Sequence, residues 1–377
     1  MKNVFIAGYV RSPFHFAAKG ALTRVRPDDM LAAVIQGLLQ KTGVPGGDIE
    51  DLIVGCAMPE GEQGLNVARL TGLLAGLPQS VAGTTVNRFC GSSMQAIHMA
   101  AGAIQLGAGE AFIAGGMESM TRVPLGGFNP MPNPRLVAMS QAYISMGETA
   151  ENLARKYKIG RERQEQLAVD SHARATAAEA AGKFIDEIIP ITSGNQRVEK
   201  DGCIRPGTDL KTLAGLKPAF DADGTVTAGT SSPLTDGVSA TLIVTEDYAK
   251  AHGLQPIAKL RSIAVAGCAP EIMGIGPVEA TRKALKRAGL ALKDIDVIEL
   301  NEAFAVQALA CMDELGIDWA KTNLDGGAIA LGHPLGATGA RITGKAAAIM
   351  KREGKGLALA TQCIGGGQGI TTILEAV

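Results

Sequence analysis

Cys90 stands where an apolar stretch gives way to small and polar residues, in the run Val86-Asn87-Arg88-Phe89-Cys90-Gly91-Ser92-Ser93. This pattern predicts a strand that ends at Phe89 and a helix that begins within a residue or two. Unpaired N–H groups and the positive end of the helix dipole stabilise a thiolate, so we expect a lowered pKa and a nucleophilic role for Cys90. The run alone leaves open the alternative of an ordinary buried cysteine.

Two more glycine-rich turns carry residues that could serve a nucleophile. His333 lies between Gly and Pro ahead of a predicted helix, on what we expect to be a fixed and exposed turn, where it can act as general base or oxyanion donor. Cys363 ends an apolar strand before Gly365-Gly366-Gly367, whose bare N–H groups suit an oxyanion hole. The Lys and Ser/Thr of a phosphate-binding loop are missing there. Each of these turns could be an ordinary tight turn, but that reading does not explain why Cys90, His333 and Cys363 all lie on such turns.

The turns recur along the chain because the sequence carries a weak internal duplication. Gly43 and Gly289 lie 246 residues apart, and each follows a predicted helix and precedes an apolar strand. At nearly the same spacing, Leu335 is the counterpart of Cys90, so His333 lies two residues before the equivalent turn. We expect two α/β halves, with sheets layered between helices, whose strand-to-helix turns face each other. The alternative to a duplication is that any two α/β segments share such patterns.

The middle of the chain has a different texture, with a Gly/Pro-rich loop followed by helices over 150–157 and 161–181. Such an excursion from an α/β framework usually covers or builds a binding site. We therefore expect an N-terminal half at 1–117 and 236–254, an inserted domain at 118–235 and a C-terminal half at 255–377.

Composition limits the class of protein. The 377 residues are 46% hydrophobic and carry a net charge of −1 with mixed signs, which argues against a nucleic-acid partner. No apolar run approaches the ~20 residues of a membrane span, and the first residues do not resemble a signal peptide, so we expect a cytoplasmic protein. The six cysteines lack the spacing of a zinc site, and we expect no metal.

The motifs resemble the signatures of the thiolase family over residues 4–373. The matching segments are the Cys90 run, Thr227-Ala228-Gly229-Thr230-Ser231-Ser232, Asn301-Glu302-Ala303-Phe304-Ala305, Gly326-Gly327-Ala328-Ile329-Ala330-Leu331-Gly332-His333-Pro334 and Cys363-Ile364-Gly365-Gly366-Gly367. The resemblance implies an α/β thiolase fold, in which two duplicated halves hold mixed five-stranded sheets and an inserted loop domain covers the coenzyme A (CoA) site. It also implies that CoA is a substrate and that no cofactor is tightly bound.

The resemblance further implies a division of chemical roles. Cys90 would carry the acyl group as a thioester, and His333 would activate it and help bind the thioester oxygen. Cys363 would move the proton at the α-carbon of acetyl-CoA and deprotonate the incoming CoA thiol. Asn301 would hold a water that completes one oxyanion hole, and the N–H groups of Cys90 and Gly365 would form the second.

Other matched positions would contact the substrate: Ser232, Arg205, Met146, Met273, Phe304, Ala228 and Gly229. Ser232 matches a pantetheine contact, and Arg205 would face the nucleotide end of CoA. Met146 and Met273 would line the acyl pocket, with Phe304 as its wall. For the two methionines, an ordinary core position is the alternative.

Two positions bear on the subtype. Ser145 stands where biosynthetic acetoacetyl-CoA enzymes commonly have a histidine, and the Ser232-Pro233 step is closer to the degradative enzymes. We therefore expect CoA-dependent cleavage of 3-ketoacyl-CoA in β-oxidation, and the alternative is a biosynthetic acetyl-CoA C-acetyltransferase. The family implies a homodimer or a tetramer built as a dimer of dimers. A multienzyme partner of β-oxidation is compatible with the sequence.

Two rival classes share this duplicated architecture. Condensing enzymes of fatty-acid or polyketide synthesis carry one cysteine with two histidines, or with a histidine and an asparagine. Cys363 and the motif that begins at Asn301 argue against them. A non-catalytic lipid-binding member would have lost Cys90, His333 or Cys363, and the sequence retains all three.

Overall fold

The computed structural model describes residues 2–377, which fold into strands, α-helices and short 3₁₀ turns. Its strands are β1 (Val4–Arg11), β2 (His15–Phe16), β3 (Asp51–Cys56), β4 (Ala82–Val86), β5 (Ala111–Ser119), β6 (Ile191–Ser193), β7 (Gln196–Val198), β8 (Thr235–Thr245), β9 (Ala258–Gly267), β10 (Val297–Leu300), β11 (Leu357–Ile364) and β12 (Gln368–Glu375). Its helices are α1 (Pro27–Thr42), α2 (Val67–Leu74), α3 (Ser92–Gln105), α4 (Pro134–Met139), α5 (Met146–Tyr157), α6 (Arg161–Ala180), α7 (Leu210–Ala214), α8 (Glu246–Ala251), α9 (Gly276–Ala288), α10 (Ala305–Leu315), α11 (Ala328–Leu331) and α12 (Leu335–Arg352).

The main sheet runs through both halves in the order β10-β11-β12-β9-β1-β8-β5-β3-β4, and β2 pairs with β8 outside this path. β3 pairs in parallel with β4 and β5, and β10 with β11, whereas the remaining neighbours on this path are antiparallel. Within residues 2–377, β1 of the first half pairs with β9 of the second through two residue pairs, Phe5 with Lys259 and Ile6 with Ala258. The sheet is therefore mixed and has a narrow central seam.

The internal duplication is confirmed by the elements themselves. α1 ends before Gly43 at φ 71°, and α9 ends before Gly289 at φ 70°. The strands β3 and β10 that follow begin 246 residues apart, at Asp51 and Val297. Outward from the seam, the first half has the order β1-β8-β5-β3-β4 and the second has β9-β12-β11-β10. Both halves thus repeat one topology.

The second half differs from the expected five strands at its outer edge. A single bridge between Ile298 and Thr322 stands where the first half has β4. The chain turns away at once, because Asn323 has a φ of 47°. The Asn323 side chain then bonds both the N–H and the carbonyl of Leu300, at 2.9 Å each, and takes the place of strand pairing.

α3 and α12 form the layer between the two halves of the main sheet and contact strands of both. α1 covers the outer face of the first half of the sheet and α9 that of the second half. The central layer is closely packed: a Cβ added at Gly116 of β5 would lie 2.1 Å from the carbonyl oxygen of Gly336, and one at Gly339 would lie 2.3 Å from the backbone N of Met94. Only glycine permits backbones to approach this closely.

The region between β5 and β8 contains α4 to α7 and the hairpin β6–β7. The two helices predicted there are confirmed as α5 and α6. Buried residues of α5, including Leu153, share a core cluster with α9 and α10 of the second half. The inserted region, which interrupts the first half, thus packs on the second half. In the part of the chain that the structure describes, no helix is both long and apolar enough to cross a bilayer.

The close approach of β5 to α12 predicts the effect of a single methyl group at Gly116. Gly116→Ala should lower the free energy of unfolding by about 1–3 kcal/mol, because its Cβ would overlap Gly336 and the Ser93 side chain. Gly102 lies in α3, and a Cβ added there would meet no atom of residues 2–377 within 4 Å outside its own stretch of helix. Gly102→Ala should therefore stabilise the protein by up to about 1 kcal/mol. Urea denaturation of both variants measures this, and a Gly116→Ala midpoint equal to wild type would contradict the packing argument.

Candidate active site

A cavity of about 470 Å³ lies where the two halves meet. Cys90 lines it from the first half, whereas His333, Cys363 and Gly365 line it from the second. The structure therefore brings together the three glycine-rich turns that the sequence singled out. Their meeting follows from the duplication, because the turns before α3 and α12 are equivalent and face each other.

The turn that carries Cys90 is short and strained. β4 ends at Val86 rather than at the predicted Phe89, because Phe89 has a φ of 43°, a left-handed conformation that no strand residue adopts. Asn87 holds the turn: its Oδ1 accepts from the Phe89 N–H at 2.8 Å, and its Nδ2 donates to the carbonyl of Ala57 at 3.0 Å. Cys90 follows immediately, two residues before α3 begins.

Contacts across the two halves hold Cys90 in place. The amide of Gln362 donates to the carbonyl oxygen of Cys90. Arg88 donates at 2.9 Å to Gln368, which opens β12 after the Gly365 loop. The backbone N–H groups of Gly365 and of Cys90 itself favour the ionised form of the Cys90 sulfur. The same two N–H groups could bind an oxyanion on a carbon attached to that sulfur.

The expectation of a lowered pKa for Cys90 is wrong. Burial raises the pKa of the Cys90 thiol to about 11, and the N–H groups of Gly365 and Cys90 oppose this only in part. The nearby Glu118 carboxylate raises it further. Desolvation therefore outweighs the helix N-terminus. Cys90 is protonated near neutral pH, so a base must take its proton.

His333 lines the same cavity as Cys90 and is the candidate for that base. Its Nδ1 lies 2.6 Å from the Thr338 hydroxyl, which itself donates to the carbonyl of Pro334 at 3.2 Å. Thr338 therefore accepts from Nδ1–H, and this assigns the lone pair to Nε2. Burial, followed by the positive charge of Arg341, lowers the pKa of His333 to about 3. The ring is neutral and can accept a proton.

The His333 turn is buried, with 4% of the residue exposed, rather than exposed as predicted. The backbone N–H of His333 donates to Thr235 at 3.0 Å, and a Cβ at the preceding Gly332 would lie 2.7 Å from that side chain. Thr235 begins β8 of the first half, so the opposite half covers this turn. The sequence indicates that the backbone of this turn is fixed, but it does not indicate that Thr235 buries it.

Asn301 lies behind His333, with its Nδ2 3.5 Å from His333 Nε2. Its Oδ1 is buried and finds no hydrogen-bond partner within residues 2–377. The neighbouring Glu302 carboxylate accepts from the Ser171 hydroxyl at 2.7 Å and from Asn323 at 2.7 Å, which fixes this loop. Asn301 and His333 thus present polar atoms together, as a site for a carbonyl oxygen requires.

Cys363 is also buried in the cavity wall, where it pairs with Gly369 at the end of β11. Burial raises its pKa well above the ordinary value, and the proximity of Cys90 raises it further. Cys363 is therefore a thiol that can donate a proton. Two protonated cysteines and a neutral histidine in one cavity can move protons among themselves without solvent.

Glu118 was missed by the sequence analysis. Its buried carboxylate accepts from the backbone N–H groups of Ala57 at 2.8 Å, Met58 at 3.1 Å and Gly336 at 2.9 Å, and from Gln63 Nε2 at 2.9 Å. It joins the first half to the first turn of α12, beside Cys90. An acidic residue near the end of the apolar run 111–117 was the available signal.

Of the predicted substrate positions, Ser232, Met146, Met273 and Phe304 line the cavity. Ser232 is held by its hydroxyl, which donates to the carbonyl of Ala303 at 2.9 Å. The rest of the wall is mostly apolar and includes Met58, Met120, Leu125, Tyr143, Ile144, Leu234 and Leu335. This lining suits an aliphatic chain next to Cys90.

Three predicted substrate positions lie outside the cavity lining. The guanidinium of Arg205 lies 5.1 Å from the centre of the Phe16 ring. Ala228 is exposed, and Gly229 packs against leucines of the inserted region. The assignments of these residues to CoA stay predictions. Within residues 2–377, no three His, Cys, Asp or Glu side chains converge as metal ligands.

Comparison with known proteins gives matches over the whole chain. The family models described as "Thiolase, N-terminal domain" and "Thiolase, C-terminal domain" match residues 4–247 and 254–376. The 3-ketoacyl-CoA thiolases of Bacillus subtilis and Aliivibrio fischeri are each 49% identical to this chain, and each match covers 100% of both sequences.

Solved structures also match over the whole chain. The Bacillus anthracis acetyl-CoA acetyltransferase is 40% identical, with a TM-score of 0.92 over 100% of this chain and 99% of that one. Human mitochondrial 3-ketoacyl-CoA thiolase in complex with CoA is 39% identical, with a TM-score of 0.92 over 100% and 98% of the two chains. These similarities extend through both halves and the inserted region.

The pKa directions of Cys90 and His333 predict how alkylation depends on the base. With a pKa of about 11, only about one Cys90 thiol in 10⁴ is ionised at pH 7. Replacing His333 by Ala should slow iodoacetamide labelling of Cys90 about 10²-fold at pH 7, and the deficit should shrink toward pH 10 as hydroxide replaces the base. Mass spectrometry gives the rates, and a Cys90→Ser protein shows which signal belongs to Cys90. Equal labelling of both proteins at pH 7 would exclude His333 as the base.

Proposed function

The chain belongs to the thiolase family, and from that premise we propose that it cleaves 3-ketoacyl-CoA with CoA, giving acetyl-CoA and an acyl-CoA two carbons shorter. The observation that carries this proposal is the single cavity that contains Cys90, His333 and Cys363. The reaction is a reversible Claisen condensation. It requires a nucleophile for the ketone, an acid/base for carbon and separate sites for two oxyanions.

The first half-reaction transfers the acyl group to Cys90. His333 Nε2 takes the thiol proton as the sulfur attacks the C3 ketone of the substrate. The oxygen that becomes negative is bound by the N–H groups of Cys90 and Gly365. When the C2–C3 bond breaks, the electron pair passes to C2 as the enolate of acetyl-CoA. Cys363 protonates C2, acetyl-CoA leaves, and the acyl group stays on Cys90 as a thioester.

The enolate needs its own oxyanion site. Its oxygen is that of the substrate thioester, and protonated His333 together with Asn301 faces it. The buried, unpartnered Oδ1 of Asn301 supports the expectation that a water joins this pair. Preorganised donors in a site closed to solvent stabilise such charge more strongly than water does.

The second half-reaction returns the enzyme to its starting state. Cys363, now a thiolate, takes the proton of the incoming CoA thiol. The CoA sulfur attacks the thioester carbon, and the same N–H groups of Cys90 and Gly365 bind the tetrahedral oxyanion. Cys90 then leaves and regains its proton from His333. Every proton taken in the first half-reaction is thereby returned.

We propose that the substrate enters between the inserted region and the second half. Ser232 would contact the pantetheine, and Met146 and Met273 would line the acyl pocket with Phe304 as its wall; all four lie in the cavity wall. Arg205, with Ala228 and Gly229, would contact CoA farther out on the inserted region. The human structure described above binds CoA in a chain of the same fold.

The organisation of the chain follows from the same premise. We propose an N-terminal half at 1–117 and 236–254, an inserted domain at 118–235 and a C-terminal half at 255–377, so that the inserted domain lies between the end of β5 and the start of β8. The protein would act in the cytoplasm as a homodimer or homotetramer without a tightly bound cofactor, with a β-oxidation enzyme as its potential partner. Its six free cysteines support a reducing compartment.

Replacement of Cys363 separates the two chemical steps. Cys363→Ala should still be acylated at Cys90 by acetyl-CoA, because this step needs only the nucleophile, its base and the N–H groups. Exchange of the acetyl methyl hydrogens with D₂O should fall at least about 10²-fold, because no group handles the proton at C2. Mass spectrometry follows acylation, and NMR follows exchange. Wild-type exchange in this mutant would leave Cys363 as a packing residue.

A series of 3-ketoacyl-CoA substrates from four to twelve carbons tests the direction and the substrate range. Each buried methylene contributes about 0.8 kcal/mol, so kcat/KM for CoA-dependent cleavage should rise at least about tenfold between the four- and eight-carbon substrates. The apolar wall at Met120, Leu125 and Leu234 would supply this burial. Cleavage confined to acetoacetyl-CoA would favour the biosynthetic alternative, the activity named for the B. anthracis structure.

A further inference from the structure

The buried carboxylate of Glu118 bridges the two halves of the molecule. Its Oε2 accepts from the backbone N–H of Ala57 in the first half, at 2.8 Å, and from that of Gly336 in the second half, at 2.9 Å. Its Oε1 accepts from the Met58 N–H at 3.1 Å and from Gln63 Nε2 at 2.9 Å. Because all of these partners are donors, they suit an ionised carboxylate, which can only accept.

In the first half, these hydrogen bonds reach the Cys90 turn through Ala57. The carbonyl of Ala57 accepts from Asn87 Nδ2 at 3.0 Å, and Asn87 Oδ1 accepts in turn from the Phe89 N–H at 2.8 Å. Phe89 has the left-handed conformation, with a φ of 43°, that directly precedes Cys90. A shift of Ala57 would therefore move the strained turn that carries Cys90.

In the second half, the hydrogen bond to Glu118 reaches the His333 turn through the start of α12. The Gly336 N–H is in the first turn of this helix and has no partner within it, so both the hydrogen bond and the helix dipole favour a carboxylate there. Thr338, two residues later, holds Nδ1 of His333 at 2.6 Å. A Cβ added at Gly336 would lie 2.6 Å from the carbonyl oxygen of Met117, so this turn also packs directly on the first half.

The duplication shows what stands at the equivalent position of the other half. The pairing of β3 with β5 matches that of β10 with β11 at a spacing of 246 residues, and at this spacing Ile364 corresponds to Glu118 and Cys90 to Gly336. Ile364 lies against the Cys90 turn, because a Cβ added at Gly91 would be 2.5 Å from its Cδ1. An isoleucine side chain accepts no hydrogen bond, so it leaves the N–H of Cys90 to an oxyanion.

The negative charge of Glu118 does not itself assist the nucleophile. Burial raises the pKa of the Cys90 thiol, and the Glu118 carboxylate raises it further. A carboxylate that acted by its charge alone would therefore oppose ionisation of Cys90. The hydrogen bonds to both halves give the better reason for a buried carboxylate at this position.

We propose that Glu118 is a positioning residue of the reaction: its carboxylate fixes the Cys90 turn of the first half relative to the His333 turn of the second, so that His333 can take the Cys90 proton. Glu118 occupies, in one half of the duplication, the position that the other half leaves for an oxygen of the substrate. This inference rests on the proposed roles of Cys90 and His333.

Glu118→Asp tests the reach of the carboxylate and keeps its charge. The side chain is one methylene shorter, so it cannot hold Ala57 and Gly336 at their present separation. Labelling of Cys90 by iodoacetamide at pH 7 should slow at least about tenfold, because a displacement of about 1 Å can cost about 10²-fold in rate. The deficit should shrink toward pH 10, because hydroxide replaces the base wherever His333 lies. Mass spectrometry gives the rates.

Two further variants show where the effect arises. In a His333→Ala background, Glu118→Asp should cause no further slowing, because a positioning residue acts through the base that it positions. Glu151→Gln changes another buried carboxylate, on α5, whose Oε1 accepts from the N–H groups of Thr225 at 3.0 Å and Val226 at 2.8 Å. This control should keep the wild-type labelling rate.

Acylation by acetyl-CoA gives a second measurement that a general loss of structure would not reproduce. In Glu118→Asp, the rate constant at saturating acetyl-CoA should fall at least about tenfold, whereas the half-saturating concentration should stay within about twofold of wild type. This difference is expected because the hydrogen bonds of Glu118 do not involve the residues assigned to CoA.

Labelling of Glu118→Asp at the wild-type rate would overturn the proposal, and so would faster labelling, which indicates only a loosened site. Further slowing in the His333→Ala background, equal slowing in Glu151→Gln or unchanged acylation would overturn it as well. If Glu118→Asp fails to fold, Glu118→Gln decides. Its amide oxygen replaces one of two acceptors, whereas loss of the charge alone would speed labelling, so a rate at or above wild type would overturn the proposal.

The two measurements also separate this proposal from the proposed function. If acetyl-CoA does not acylate the wild-type protein at all, the proposed function fails. Iodoacetamide labelling needs no substrate, so it still decides whether Glu118 positions His333 against Cys90.

Discussion

The close contact between α3 and α12 is the constraint on which the rest of this molecule depends. These two helices lie between the two halves of the main sheet and touch strands of both. Gly339 lets α12 approach α3, and Gly116 lets α12 approach β5, to distances that any Cβ would prevent. Because each helix begins at an equivalent turn of its own half, this contact brings the Cys90 turn and the His333 turn to one cavity.

Desolvation in that cavity governs the chemistry. Burial raises the pKa of both cysteines and lowers that of His333, so the resting site holds two thiols and a neutral imidazole. Because these groups are buried, they can exchange protons with one another rather than with solvent. The N–H groups near Cys90 and the Asn301 amide could stabilise an oxyanion that forms during the proposed reaction.

Local patterns predicted much of this arrangement and failed where distant groups interact. The duplication, the α/β halves, the helices of the inserted region and the three residues that meet in the cavity were visible in residue types and spacing. The pKa direction of Cys90 was wrong because a helix N-terminus can be seen in sequence, whereas the desolvation that exceeds it cannot. Glu118 went unnoticed, because its importance lies in partners far along the chain.

The sequence by itself determined which residues can react and that the chain repeats one α/β unit, because these depend on side-chain chemistry and on periodicities within a few tens of residues. Tertiary structure alone decided that Thr235 of one half covers His333 of the other, that Asn323 replaces a strand, and that Arg205 lies outside the cavity lining. Burial and the distance between remote groups arise only when the halves pack together. Protonation states, which follow from both, were therefore beyond reach of the sequence.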